Sequence, residues 1–166
     1  MGLFDKVRSL KNAITGGGAK VSIDATACRI GEPFDVRVSV EVADDDLKIN
    51  GAHLAVEGKE VVEIMRSDLR FSSSGTASDD EPEPEDELVT AEHTTLSLNV
   101  DVAGEQTLTA NQTYEWTVSV EIPGEAQPRY KGKFCEHSFI ARASLDCFGN
   151  DPDSGWVELE VASQTS

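Results

Sequence analysis

The sequence predicts an all-β fold, two antiparallel sheets packed face to face as a sandwich. Segments that alternate apolar and polar residues recur at roughly ten-residue intervals, the spacing of sandwich strands. Clusters of Gly, Pro, Asp and Asn stand between them and supply the turns. Helical spacing of apolar residues occurs only near the N-terminus. At 166 residues the chain suffices for one domain that buries its own core without disulfides or metals.

The first element is the exception to the β pattern. Leu3, Val7, Leu10 and Ile14, with Phe4 beside Leu3, fall three or four apart and lay one apolar stripe along a short amphipathic helix. Gly16-Gly17-Gly18 ends it and leaves a hinge. The chain therefore divides into a helix and hinge over 1–18 and a sandwich over 19–166. Residues 1–20 hold Lys6, Arg8, Lys11 and Lys20 against Asp5, a net +3, while the remainder carries −20. Leu3, Phe4, Val7, Leu10 and Ile14 are the candidate contact residues. Their stripe suits a membrane surface, a protein partner or the chain's own sandwich.

The sandwich begins with Val21, Ile23, Ala25 and Ala27, which alternate up to the turn Gly31-Glu32-Pro33. Phe34, Val36, Val38, Val40 and Val42 alternate after it, and Asp44-Asp45-Asp46 makes the next turn. Leu47 to Val56 reads as a third strand, Gly58 as a turn and Val61 to Met65 as a fourth. Residues 72–87 pair a Ser-Gly stretch with a run of Asp, Glu and two prolines, a composition that predicts a solvated acidic loop within one domain. Leu96, Leu98, Val100 and Val102 form the next strand, closed by Ala103-Gly104-Glu105. Tyr114, Trp116, Val118, Val120 and Ile122 follow, then a loop bracketed by Pro123-Gly124 and Pro128. A strand from about Phe134 through Phe139 to Leu145 leads to the turn Asn150-Asp151-Pro152-Asp153, and Val157 to Val161 alternates last.

These residues carry a resemblance. The strand ending in Ile122-Pro123, the proline loop to Pro128, the strand Lys133 to Leu145 with Leu145-Asp146, Asn150-Asp151-Pro152-Asp153, and Ile30-Gly31-Glu32-Pro33 together resemble the arrestin-like superfamily. The branch resembled is the prokaryotic sporulation-control (SpoOM-type) proteins, relatives of arrestins and of vacuolar-sorting adaptors. The resemblance implies an arrestin-like, immunoglobulin-like β-sandwich, with room here for one sandwich where such proteins usually carry two. It implies a non-enzymatic interaction or regulatory adaptor that binds protein partners. Addition of a partner strand to a sheet edge is the physical route open to such a domain.

Composition narrows the partners. A formal charge of −17 repels nucleic-acid backbones and anionic lipid, so no nucleic-acid binding is expected. The same acidity suits a salt-rich cytoplasm, where ions screen self-repulsion. No apolar run approaches the roughly 20 residues of a spanning helix and the first residues lack a secretory h-region, so a cytoplasmic location is expected. Cys28, Cys135 and Cys147 are odd in number and scattered, and read as small buried hydrophobes. A lone sandwich exposes a face or edge, so a homodimer is expected, through a sheet edge or by exchange of the N-terminal helices; the alternative is a monomer whose helix folds back over its own edge.

No catalytic signature accompanies this fold pattern, and no enzyme activity or cofactor is expected. His53, His93 and His137 stand in no nucleophile motif. Cys135 and His137, two apart on one strand face, form a zinc set only if Cys147 joins them. Asn150 to Asp153 offers oxygen ligands without the spacing of a calcium loop, and a structural turn is the simpler reading. Two further function classes remain beside the adaptor. One is a peripheral membrane-associated accessory protein using the basic helix, and the other a divalent-cation-binding β domain.

Overall fold

The computed structural model describes residues 18–69 and 87–162. The helix expected over 3–14 and nearly all of the acidic loop lie outside the described residues. The expected sandwich is present. One sheet has the order β1-β2-β6, built from β1 (Ala19–Ala25), β2 (Pro33–Val42) and β6 (Thr113–Glu121). The second has the order β4-β3-β8-β7, from β3 (Leu47–Met65), β4 (Leu88–Ala103), β7 (Tyr130–Lys131) and β8 (Cys135–Cys147). Here β5 (Gln106–Leu108) adds to β3 and β9 (Val157–Glu158) to β8. Every strand pair is antiparallel.

Alternation decides which side chains face inward. In β2, Phe34, Val36, Val38, Val40 and Val42 are buried between polar neighbours. They meet Ile49, Leu54 and Val56 of β3 and Phe139, Ala141, Ala143 and Leu145 of β8 in one continuous core. The turn at Gly31 holds φ +80°, and a Cβ there would lie 3.4 Å from the Gly124 backbone, so the glycine lets two loops touch. Its N–H donates to the Ile122 carbonyl at 2.7 Å.

Two expectations are corrected. Gly58 is not a turn: Leu47 to Met65 is a single 19-residue strand that passes straight through it. The register against β4 slips there, with Gly58 opposite Leu96 and Lys59 opposite Thr94, so Thr95 is the extra, bulged residue. The strand continues because β4 and β8 both pair along it beyond Gly58. The second correction is a one-turn 3-10 helix at Arg66–Leu69, where no helix was expected. It follows β3, and the ion pair of Arg66 with Glu87 (3.0 Å) holds the chain on the far side of the acidic segment.

The two long sides of the sandwich differ. On one, Cys28 bridges Val161 in parallel, its N–H donating to Glu160 O at 3.0 Å and its carbonyl accepting from Ala162 N at 2.9 Å. That lacing ties the chain between β1 and β2 to the segment after β9. On the other side the terminal strands β4 and β6 face each other with no such bridge among the described residues.

Candidate functional site

A dense group of polar side chains continues the inner face of the second sheet past the end of the apolar core. Glu60 of β3 pairs with His137 of β8, which pairs with Tyr130 of β7, so three strands place their side chains in one row. Cys135, two residues before His137, shares that face. The expectation for these two residues therefore holds. Cys147 lies at the far end of β8, opposite Ile49 and roughly 40 Å along the strand, so the zinc set does not assemble.

Hydrogen bonds close the group on itself. Tyr130 donates to Glu60 Oε1, which also accepts from Gln127 Nε2 at 3.2 Å and from the Cys135 thiol at 3.6 Å. The Tyr130 oxygen lies 3.0 Å from Cys135 Sγ. His137 is fully buried, its Nδ1 is 3.1 Å from the Pro128 carbonyl and its Nε2 is 2.6 Å from Thr95 Oγ1. A carbonyl only accepts, so Nδ1 carries the proton and Thr95 donates to Nε2. The bulge makes this contact, since the extra residue in β4 turns the Thr95 hydroxyl toward the ring. Gly58 leaves the space: a Cβ there would lie 2.5 Å from Thr95 Oγ1 and 3.2 Å from His137 Nε2.

The electrostatics follow the same logic. Burial pushes the His137 pKa down, outweighing the Pro128 carbonyl and the Glu60 charge, which pull it up. Its Tyr130 hydrogen bond leads in holding the Glu60 carboxyl below the usual range. Tyr130 is raised, first by Cys135 and then by Glu60. The ring is thus neutral with both nitrogens committed, and it stands edge-on to Phe139 at 5.0 Å. Such a group clips the loop through Gln127, Pro128 and Tyr130 onto the sheet, and its histidine has no free nitrogen with which to activate a nucleophile.

A second group occupies the outer face. Asn50 is an extra residue of β3 against β8, and Val102 an extra residue of β4 against β3. Beside these bulges His53 Nδ1 lies 3.0 Å from Asp101 Oδ1, its cross-strand partner. They border an open depression of ≈ 380 Å³ lined by Asn50, Gly51, His53, Asp101, Val102, Ala103 and Gly104. The lining contains no hydroxyl or thiol, so the His-Asp pair has no nucleophile to serve.

The acidic turn spends its carboxylates locally. Asp151 Oδ1 accepts from Cys147 N at 2.9 Å and Asp153 Oδ1 from Gly155 N at 2.7 Å, the bonding expected of a structural turn. Among the described residues no three His, Cys, Asp or Glu side chains are grouped to hold a metal ion. Cys28 and Cys147 are buried as expected. Cys135 departs from that reading, being half-buried among polar partners instead of packed as a hydrophobe.

The remaining feature is an edge. β4 runs 16 residues with β3 as its only ladder partner among the described residues, so its outer row of N–H and C=O groups faces outward. Leu88 and Val89 at its start are 54% and 43% exposed. Leu3, Phe4, Val7, Leu10 and Ile14 lie outside the described residues. Sequence reasoning missed Glu60, Thr95 and Tyr130, whose proximity depends on strand register and a bulge; the one signal was the shared parity of Cys135 and His137.

No protein-family model matches the sequence, and no curated protein matches it. Solved structures do. The fold is similar to that of the sporulation control protein Spo0M from Bacillus subtilis, with a TM-score of 0.59 and 17% identity. The match covers 89% of this chain and 51% of Spo0M, so the chain spans about half the length of that protein. This likeness shows the fold alone, the antiparallel β-sandwich of Spo0M.

Proposed function

We propose that this chain is a non-enzymatic, arrestin-like interaction module of regulatory type that binds an extended segment of a partner protein by strand addition to β4. The observation that supports it most is the outer edge of Leu88–Ala103, which has no ladder partner among the described residues, a strand roughly 50 Å long that begins with exposed Leu88 and Val89. Main-chain hydrogen bonds along that edge supply affinity, and alternate side chains supply selectivity. The polar groups of the interior are spent on one another, which suits a scaffold. The likeness to a sporulation control protein supports the regulatory part of this reading.

The reading is tested by affinity capture from source lysate at native salt. Leu88→Lys/Val89→Lys places charge on the edge, where it opposes strand addition. Phe148→Lys, at the most exposed large apolar residue among the described residues, is the control. Loss of a co-purifying protein with the first variant and retention with the second supports edge binding. The reverse pattern contradicts it.

A further inference from the structure

The open side of the sandwich has a defined apolar seam. Leu96, Leu98 and Val100 of β4 and Tyr114, Trp116 and Val118 of β6 face the interior, yet all six stay only half-buried. Their cross-strand neighbours Val56 and Val38 are buried. Tyr114 and Trp116 stack with ring centroids 6.1 Å apart and form a flat aromatic surface along the seam. We propose that the N-terminal segment of the same chain covers this seam, laying the stripe Leu3, Phe4, Val7, Leu10 and Ile14 over it.

Position, length and charge each select this occupant. Gly18 stands at the end of the sandwich where β6 begins: its carbonyl accepts from Ala43 N at 2.9 Å, and the Ala43 carbonyl accepts from Asn111 N at 2.8 Å. Two strand spacings, about 10 Å, separate β1 from β6 across β2, and residues 15–17 reach about 10 Å when extended. Twelve residues, 3–14, would span ~18 Å as a helix, close to the ~20 Å that β6 runs from Tyr114 to Val120. Lys6, Arg8 and Lys11 flank the stripe. Glu115 and Glu121 on the outer face of β6, and Asp101 paired with His53 on that of β4, are exposed beside the seam, and neither strand holds a Lys or Arg, so its flanks carry the opposite sign. A second copy brings another −17 to that rim, and anionic lipid meets the same repulsion. The contact involves the second half of β4, Leu96 to Val100, and leaves the start of the strand, where Leu88 and Val89 are exposed, for a partner strand.

Trp116 reports on the seam. In full-length Trp156→Phe it is the sole tryptophan, because the chain has two. Acrylamide quenching is compared with the same chain carrying Leu3→Asp/Val7→Asp/Leu10→Asp, and with one carrying Lys6→Glu/Arg8→Glu/Lys11→Glu. Neither set replaces a residue of the described core, and thermal melts verify that the fold persists. The stripe variant should raise the quenching constant at least about twofold as the covered surface returns to water, and the charge variant should raise it most at low salt. Unchanged quenching in both variants overturns the proposal. So does protection that disappears on dilution together with a light-scattering dimer, which assigns the helix to a second copy. Binding of the full chain to phosphatidylserine vesicles with Trp116 quenching insensitive to the stripe variant overturns it in favour of a membrane.

Discussion

Gly58→Ala is the sharpest probe of the polar clip. The added Cβ would stand 2.5 Å from Thr95 Oγ1, well inside the 3.5–4.0 Å of ordinary contact, so the hydroxyl must retreat by most of an ångström. That movement breaks its bond to His137 Nε2 and leaves a buried acceptor unpaired, a loss of about 1–3 kcal/mol. Strain from overpacking adds about 1–3 kcal/mol if the strands do not yield. Replacing glycine in a strand interior returns about 0.5–1 kcal/mol. The net expectation is a destabilisation of about 3 kcal/mol, or about 1 kcal/mol where the strands yield and only the hydrogen bond is lost. Urea unfolding at constant high salt measures it, and Thr95→Ala completes a double-mutant cycle. Without the hydroxyl, Gly58→Ala should cost less than about 1 kcal/mol, because the closest obstacle has gone and the hydrogen bond is already lost. Effects that add within about 0.5 kcal/mol would refute the link between Gly58, the bulged threonine and the histidine.

Three further outcomes are expected. The pKa of His137 is held below its ordinary 6.5 by burial, so the unfolded chain binds a proton that the native state refuses; its stabilising contribution is full above about pH 6.5 and is lost as pH falls toward the folded value. Between pH 7.5 and 5 the wild type should therefore lose stability relative to His137→Gln by up to about 1.4 kcal/mol per pH unit, and parallel profiles would exclude the buried neutral ring. With a formal charge of −17, the melting temperature should climb steeply from about 0.1 M salt toward molar salt, whereas a flat response would leave no role for surface repulsion. Replacing residues 78–86 by a short Gly-Ser linker, with the Arg66–Glu87 ion pair retained, should leave stability unchanged or higher; a loss beyond about 2 kcal/mol would reveal an interaction made by that segment.

The strands were legible wherever one face meets the core and the other meets water. Val36, Val38 and Val40 in β2 and Tyr114, Trp116 and Val118 in β6 alternate because their sheet is two-faced, and those segments fall where the periodicity places them. The middle of β3 was not legible. Gly58 serves a close approach between strands far apart in sequence, and a glycine that admits a neighbour's hydroxyl looks locally the same as one that turns the chain. The parity of Cys135 and His137 was readable, but their partners Glu60, Thr95 and Tyr130 arrive through register and a bulge, which no local pattern encodes. The lacing of Cys28 to Val161, and hence which side of the sandwich stays open, depends on topology alone.

The central claim is that the outer edge of β4 receives a partner strand. Hydrogen-deuterium exchange of the full chain at native salt, with and without the captured partner, tests it at the backbone itself. New ladder bonds should slow exchange at alternate amides of Leu88–Ala103, the ones not already bonded to β3, while β2 and β8, already paired on both sides, change little. Slowed exchange elsewhere with β4 unaltered would contradict the account.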